Sequence, residues 1–409
     1  MIGKNSSAQP ALRFPEFSGD WIKADIDWFL EKSSKPVSVK LGQTYQEIGV
    51  RSHGKGIFHK TADIGETLGD KRVFWVVPNA LVLNIVFAWE QAVALTTDRE
   101  AGFIASHRFP VFIPRENRAD TRFARDFFLR PRGRWLLELA SPGGAGRNKT
   151  LGQSNFAELP VVWPSQPEQK EIADFLGAVD ERIKLLQRRR DALARYKTGI
   201  MQCLFDQSLR FTRDDGTAFP DWEELTLGNV AKFSKGRGIS KDDIVPDGVQ
   251  PCIRYGELYT VYGEKISNVV SKTNSPPESL LLSKPGDVVL PASGETPMDM
   301  PSASCVLAGG VALGGDITVI RSPINGVFLA YLLRSHKRRA VARLAQGNSV
   351  VHLYGVHLAS LKLDIPTDPD EQCKIADALS ALDDKIAAVT AQIKLMQTFK
   401  KGLLQQMFV

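Results

Sequence analysis

The run Glu168-Gln169-Lys170-Glu171-Ile172-Ala173-Asp174-Phe175-Leu176 recurs as Glu371-Gln372-Cys373-Lys374-Ile375-Ala376-Asp377-Ala378-Leu379. The correspondence continues without a gap to Phe205 and Phe408, with about 13 of 38 aligned positions identical, among them Asp180/Asp383, Ile183/Ile386, Lys197/Lys400, Gly199/Gly402 and Gln202/Gln405. A proline entry precedes each copy, at Pro164 and Pro366. Further upstream, Leu12-Arg13-Phe14 followed by Asp20-Trp21 is echoed by Leu209-Arg210-Phe211 followed by Asp221-Trp222. The chain is therefore a repeat of entry segment, variable domain and long helix. The expected divisions are 1–26, 27–163, 164–205, 206–224, 225–365 and 366–409. The two variable domains align poorly except near their ends, so the frame is alike and the content differs.

Both repeated segments read as helices. From Glu168 to Phe205 there is no proline, and the only glycines are Gly177 and Gly199. One seam reads Ile172, Val179, Leu186, Leu193, Ile200; the other reads Leu176, Ile183, Arg190, Lys197, Leu204. The second copy reads Ile375, Leu382, Val389, Met396, Leu403 and Leu379, Ile386, Ile393, Lys400, Met407. Five heptads with mostly apolar seams argue for coiled-coil packing. Ser165 with Glu168 reads as a capping box, and Asp368 with Glu371 as its analogue. A helix of about 38 residues rises roughly 57 Å and is marginal alone. The economical partner is the other copy, and an antiparallel pair is expected. Lys197 and Lys400 fall on a seam, where they snorkel, fix register or meet an acidic surface.

The 409 residues are 43% hydrophobic and carry a net charge of +6, enough for two or three domains with real cores. The charge is sorted by region. Arg108 to Lys149 holds ten basic and four acidic residues, Arg334 to Arg343 holds five basic and none acidic, and Asp206 to Glu224 is net acidic. Such sorting fits surfaces that face a polyanion. The apolar stretch Ala80 to Ala88 is short and interrupted by Asn84, which excludes a membrane span there. The first ten residues lack the apolar core of a signal peptide. Cys203, Cys252, Cys305 and Cys373 form no CxxC pair, and a cytoplasmic location with reduced thiols is expected.

A search for chemistry comes back empty. Ser275-Pro276-Pro277-Glu278 lacks the acid or amide and the aromatic that flank the prolines of an adenine-methyltransferase tetrad. In Gly143-Gly144-Ala145-Gly146-Arg147-Asn148-Lys149-Thr150, Asn148 stands where a phosphate loop needs glycine before the lysine. The six histidines, His53, His59, His107, His336, His352 and His357, form no HExxH. Ala292-Ser293-Gly294 lacks the leading glycine of a nucleophile elbow. No catalytic residue, metal site or cofactor site is expected, and a recognition protein is favoured over an enzyme.

Each variable domain closes in the same way. A helix rich in apolar residues and arginine, Phe123 to Leu139 or Val327 to Leu344, leads to a glycine-rich polar loop. The loops are Gly143 to Thr150 and Gly347-Asn348-Ser349. Glycine allows close backbone approach, while Asn, Ser, Arg and Lys reach phosphates and base edges. The candidate DNA-binding residues are Arg147, Asn148, Lys149, Asn348 and Ser349 in these loops, and Lys337, Arg338 and Arg339 in the second basic helix. Arg51, His53 and Lys55 in a basic glycine-rich loop, and Lys235 and Arg237 near the start of the second domain, complete the set.

In this order and duplication, Phe219-Pro220-Asp221-Trp222, Pro285-Gly286-Asp287-Val288-Val289, Gly314-Gly315-Asp316-Ile317 and the P-x-x-P-x-E/Q-Q-x-x-I-A-x-x-L helix openings resemble one family. It is that of the specificity subunits of Type I restriction-modification systems. Ala88-Trp89-Glu90-Gln91-Ala92 with Ser106-His107-Arg108-Phe109 resembles a recurrent form of its target domain, while Arg51 to Lys71 departs from the commoner pattern. The resemblance implies an α+β fold with two mixed α/β target-recognition domains separated by two long helices in an antiparallel intramolecular coiled coil. It implies a non-catalytic subunit that reads a bipartite, asymmetric site in double-stranded DNA. Two modification subunits, joined in some complexes by restriction subunits, would be the protein partners. S-adenosylmethionine, Mg2+ and ATP are then expected on those partners and not on this chain. The rival readings are a coiled-coil scaffold and a decoy or modification-only specificity protein.

Overall fold

The structure is a computed structural model that describes residues 9–69, 71–143, 149–347 and 349–409. It resolves into two compact units: the described residues up to Gln187 together with Ala391–Val409, and Arg188–Thr390. The long helices are Gln166–Phe205 and Pro369–Gln406. Each unit therefore contains one mixed α/β domain, the opening part of one long helix and the closing part of the other.

Within each unit the two helical stretches run antiparallel, as expected. In the first unit Ile172, Leu176, Val179 and Ile183 share a core with Leu403, Met407 and Phe408, and Asp180 meets Lys400. In the second unit Leu204 and Phe205 share a core with Ile375, Ala376 and Leu379, while Lys197 meets Asp383. The numbers rise along one helix as they fall along the other. Most apolar seam residues are buried as predicted; Leu193, Ile200, Ile386 and Met396 are half-buried, and the charged Arg190 is partly exposed and bonds Asp191. The seam lysines find carboxylates on the facing helix.

The glutamates expected to close capping boxes do something else. Glu168, 2% exposed, accepts hydrogen bonds from Arg13 Nε and Nη2, both at 2.8 Å, and from Trp21 Nε1 at 3.3 Å. Glu371, 1% exposed, accepts from Arg210 Nε at 3.1 Å, Arg210 Nη2 at 3.0 Å and Trp222 Nε1 at 3.2 Å. A buried carboxylate needs a partner of opposite charge, and the arginine fork supplies two parallel bonds. That contact explains the echo in the entry segments: arginine and tryptophan recur because both grip the first turn of a long helix. The neighbouring glutamines are also duplicated in role. Gln169 accepts from the backbone N–H of Asp120, and Gln372 from that of Asn325, both at 2.9 Å. Asp120 and Asn325 are in turn the N-caps of helices Thr121–Phe128 and Gly326–Tyr331.

Strand Ile22–Asp25 pairs antiparallel with Pro160–Trp163, and Glu223–Thr226 pairs in the same sense with Lys362–Ile365. These pairs join the two ends of each variable domain beside the long helix. Between them, the first domain holds an antiparallel sheet in the order Leu30–Ser33, Val111–Pro114, Leu81–Leu83, Val93–Leu95. The second holds a five-stranded sheet in the order Lys232–Lys235, Ile317–Arg321, Asp287–Pro291, Ser304–Val306, Lys265–Ile266. Aromatic side chains seal each domain onto its helices. Phe123 stacks on Phe408 at 4.9 Å and meets Trp21 edge-on; Phe328 packs on Phe205 at 5.7 Å and meets Trp222 edge-on.

The basic helices are more broken than their sequences imply. Phe123 to Leu139 is two helices, Thr121–Phe128 and Pro131–Leu139, with Pro131 opening the second where its missing N–H costs nothing. A side chain at Gly133 would put its Cβ 2.2 Å from the Phe127 carbonyl oxygen, so the two helices cross at a glycine. Val327 to Leu344 is helix Gly326–Tyr331, a wide turn of π-helix at Leu332–His336, and helix Arg338–Arg343. Arg334, in the wide turn, is half-buried and donates to the carbonyl of Tyr262 at 2.9 Å, tying the turn to a neighbouring loop.

Candidate nucleic-acid interface

In the first unit the candidate residues gather on one short turn, Ala88–Glu90. Arg51, His53 and Lys55 are exposed on the hairpin that joins strands Ile48–Val50 and Ile57–His59. The hairpin closes with Arg51 N–H donating to Gly56 O at 3.0 Å. It docks by His53 N–H to Glu90 O at 2.7 Å and Gly54 N–H to Gln91 O at 3.0 Å, and Ser52 Oγ bonds the Glu90 carboxylate. His53 takes the left-handed backbone with φ +60°. The Arg51 guanidinium lies over the Phe58 ring, its carbon 4.9 Å from the ring centre, and donates to Ile57 O at 3.2 Å, while the residue stays exposed. Lys149 reaches the same turn from the other loop, with Nζ 5.6 Å from the Trp89 ring. It is also paired with Glu138 at 2.6 Å, which offsets its charge. Arg147 and Asn148 lie outside the described residues, as does Asn348 in the second unit.

The second unit splits its candidates between two places. Lys235 and Arg237 are exposed at the end of strand Lys232–Lys235. Gly236 between them is required, because a Cβ there would stand 2.0 Å from Gly314 O. Arg237 N–H donates to Leu313 O at 2.8 Å, and Lys235 Nζ lies 3.2 Å from Asp316. Lys337, Arg338 and Arg339 sit elsewhere. Lys337 is half-buried and bonded to Asp364 at 3.1 Å, so it is less available than its sequence implies. Arg338 donates to Met298 O at 3.2 Å and lines a cleft of about 400 Å³ with Arg334, His336 and Gln202. Burial holds the His336 imidazole below its ordinary pKa, with the Lys337 charge acting in the same direction. Ser349 is exposed. Lys55, Arg237 and Arg339 are exposed without a carboxylate partner among the described residues.

Sequence reasoning missed residues that the fold places beside Lys235. His352 and Tyr354, which follow the glycine-rich loop, line a cleft of about 420 Å³ with Phe233, Lys235 and Asp316. Their rings stack at 6.0 Å, and Ser293 Oγ lies 3.1 Å from His352 Nδ1. The signal available in the sequence was an aromatic and a histidine directly after the loop; a search for basic residues passes over both. Next to this cleft, His357 Nδ1, on the ring packed edge-on against Tyr354, is buried without a hydrogen-bond partner, as is a carboxylate oxygen in the first unit. Asp126, 3% exposed, bonds Arg125 through Oδ1, while its Oδ2 has no partner. Burial pushes its pKa upward against the pull of Arg125. Among the described residues no group of His, Cys, Asp and Glu is placed to hold a metal ion, and no helix is long and apolar enough to cross a membrane.

Comparison with known proteins places these features in one family. The model of the Type I restriction modification DNA specificity domain matches residues 82–195 and 220–396, one segment for each repeat. A putative Type I restriction enzyme MjaX specificity subunit of Methanocaldococcus jannaschii is 25% identical over 266 residues, 64% of this chain and 61% of the relative. The MjaVIII specificity subunit of the same organism is 22% identical over 61% of each chain. The matched part thus spans about three-fifths of these relatives. Among solved structures, the S subunit of a Type I system from M. genitalium covers 98% of this chain with a TM-score of 0.60 at 16% identity. The HsdS subunit from Thermoanaerobacter tengcongensis covers 95% with a TM-score of 0.51 at 15% identity, a likeness of fold. With both repeats matched over most of the chain, this protein belongs to the Type I restriction modification DNA specificity domain family.

Proposed function

We propose that the chain is the non-catalytic DNA-specificity subunit of a Type I restriction-modification complex, and that its two variable domains each read one half of a bipartite, asymmetric site in double-stranded DNA. The observation that carries the reading is a duplicated frame around unlike contents. The Arg–Glu–Trp node, the glutamine on the helix cap and the lysine–aspartate pair all recur. The surfaces they support do not: a basic hairpin on one domain, and Lys235, Arg237 and an aromatic cleft on the other. Two different readers on one repeated mount suit an asymmetric two-part target. The exposed cations Arg51, Lys55, Arg237, Arg338 and Arg339 are assigned to phosphates, and His53, Ser349 and the loop residues Arg147, Asn148 and Asn348 to the groove.

The long helices are assigned to protein partners. Tyr196 is 58% exposed and Phe399, its repeat equivalent, 49% exposed. Exposed aromatics are the common anchors of protein interfaces, and the recurrence of one at the same repeat position fits two copies of one partner, the modification subunit. S-adenosylmethionine, Mg2+ and ATP belong to the partner subunits in this reading, restriction subunits included, and the complex works in the cytoplasm. Methylome sequencing of a host with and without the gene tests it. Loss of one bipartite adenine-methylation pattern supports the reading, and an unchanged methylome refutes it.

A further inference from the structure

The second unit carries exposed apolar side chains where a DNA reader has little reason to waste them. Tyr354 is 51% exposed and Val356 76% exposed, and Val350, in the loop just before them, is 52% exposed. Tyr354 and Val356 line the 420 Å³ cleft together with Phe233 and Lys235. The wall is stiff. Strand Val351–His352 pairs with Ser293–Gly294, Leu353 N–H donates to Ala292 O at 3.0 Å, and the Tyr354 ring is braced by His352 and, edge-on at 5.6 Å, by His357. The cleft carries an exposed lysine: the Lys235 side chain is 69% exposed and paired with Asp316, and exposed Arg237 follows it in the chain. The Lys235–Asp316 pair is open to solvent, so it holds the lysine weakly and releases it readily to a phosphate.

Building on the DNA-specificity reading, we infer that Tyr354 and Val356 form a contact patch for the C5-methyl group of one thymine in the half-site read by the second domain, with Lys235 on the flanking phosphate. The chemistry selects the ligand. Among the four base pairs, the thymine methyl is the one apolar group on the major-groove edge. An apolar wall beside a cation suits that edge, whereas an amino or carbonyl edge set against the Val356 side chain and the face of the Tyr354 ring would lose its water without a partner in return. Rigidity adds to discrimination, because a braced wall cannot fold away from a wrong base.

The test uses the assembled complex with its modification subunits and duplexes carrying its own methylated motif, each thymine of that half-site replaced in turn by uracil. Uracil pairs as thymine does and lacks only the methyl. One replacement should weaken binding by wild type about 4-fold, the effect of one buried methyl-sized group. The same replacement should change nothing for Val356→Ala or Tyr354→Ala, both of which should bind the thymine duplex about as weakly as wild type binds the uracil one. The inference is overturned if no uracil matters, if uracil weakens the variants as much as wild type, or if the half-site holds no A·T pair. It is likewise overturned if the variants bind DNA normally and lose modification subunits instead, since the patch then faces a protein. A wild-type complex that methylates no bipartite motif would instead refute the DNA-specificity reading on which the inference rests.

Discussion

Lys197 Nζ lies 2.7 and 2.8 Å from the two carboxylate oxygens of Asp383, and in the other unit Lys400 Nζ lies 2.7 Å from both oxygens of Asp180. Each lysine occupies a seam position where a heptad wants an apolar side chain. The Lys197 pair is further enclosed by Tyr331, whose hydroxyl donates to Asp383 at 2.5 Å, and by Glu264 at 3.2 Å from the lysine. Burial and the Asp383 charge raise the Tyr331 pKa, so the hydroxyl stays a donor.

The pair should behave as a unit. Asp383→Ala leaves Lys197 with Glu264 alone and takes the acceptor from the Tyr331 hydroxyl, and should cost about 1.5–3 kcal/mol, the range for a hydrogen bond to a charged group. Lys197→Met with Asp383→Leu should cost less than the sum of the single changes. Urea unfolding of the four proteins checks this. Strict additivity would mean that the two groups are not coupled.

The Arg–Glu–Trp nodes are more deeply buried. Glu371→Ala leaves Arg210 and the Trp222 N–H facing an empty place and should destabilise the second unit by about 3–5 kcal/mol. Glu371→Gln keeps the shape and one acceptor and should cost less. The corresponding changes at Glu168 should act on the first unit. Limited proteolysis with mass mapping would show which unit opens, and opening of the wrong unit would contradict the assignment.

Asp126 gives a pH dependence with a definite sign. Burial raises its folded-state pKa above the ordinary aspartate value. Below the unfolded value both states are protonated and the group has no effect. As pH rises from there through the raised pKa, the unfolded chain ionises first and stability is lost. Asp126→Asn should remove that loss. Thermal melts across pH 4 to 8 check it, and parallel curves for wild type and variant would show that the carboxyl ionises freely in the folded protein.

Tyr196 and Phe399 should be needed for assembly but not for folding. Either change to alanine should leave the melting temperature unchanged and weaken binding of the modification subunit about tenfold or more, the order of effect for an aromatic anchor. Sedimentation of reconstituted complexes measures it. Single variants should lose one copy of the partner and the double variant both; full assembly by the double variant would move the docking surface elsewhere.

The helices and the repeat were legible because they are written in local periodicity and in identity between distant segments. The use of Glu168 and Glu371 was not, since an S-x-x-E spacing reads the same whether glutamate turns to its own backbone or to an arginine far away in sequence. The break at Pro131 was visible as a proline but was overridden by the apolar period around it. The wide turn at Leu332–His336 has no proline or glycine to announce it. Of the site, the basic hairpin was readable from composition. Lys337 was not readable as a paired residue, because Asp364 lies on a strand that only the fold brings near. His352 and Tyr354 carry no charge pattern, and their place beside Lys235 is set by strand pairing.

The most direct measurement is a domain exchange read out as a methylome. Residues 225–365 of this chain would be replaced by the equivalent part of a relative with a different target, in cells that supply the modification subunit. The expected result is a new bipartite methylation motif in which one half is changed and the other half is identical to that of the wild type. A motif altered in both halves, or unaltered in either, would contradict two independent readers on a repeated frame.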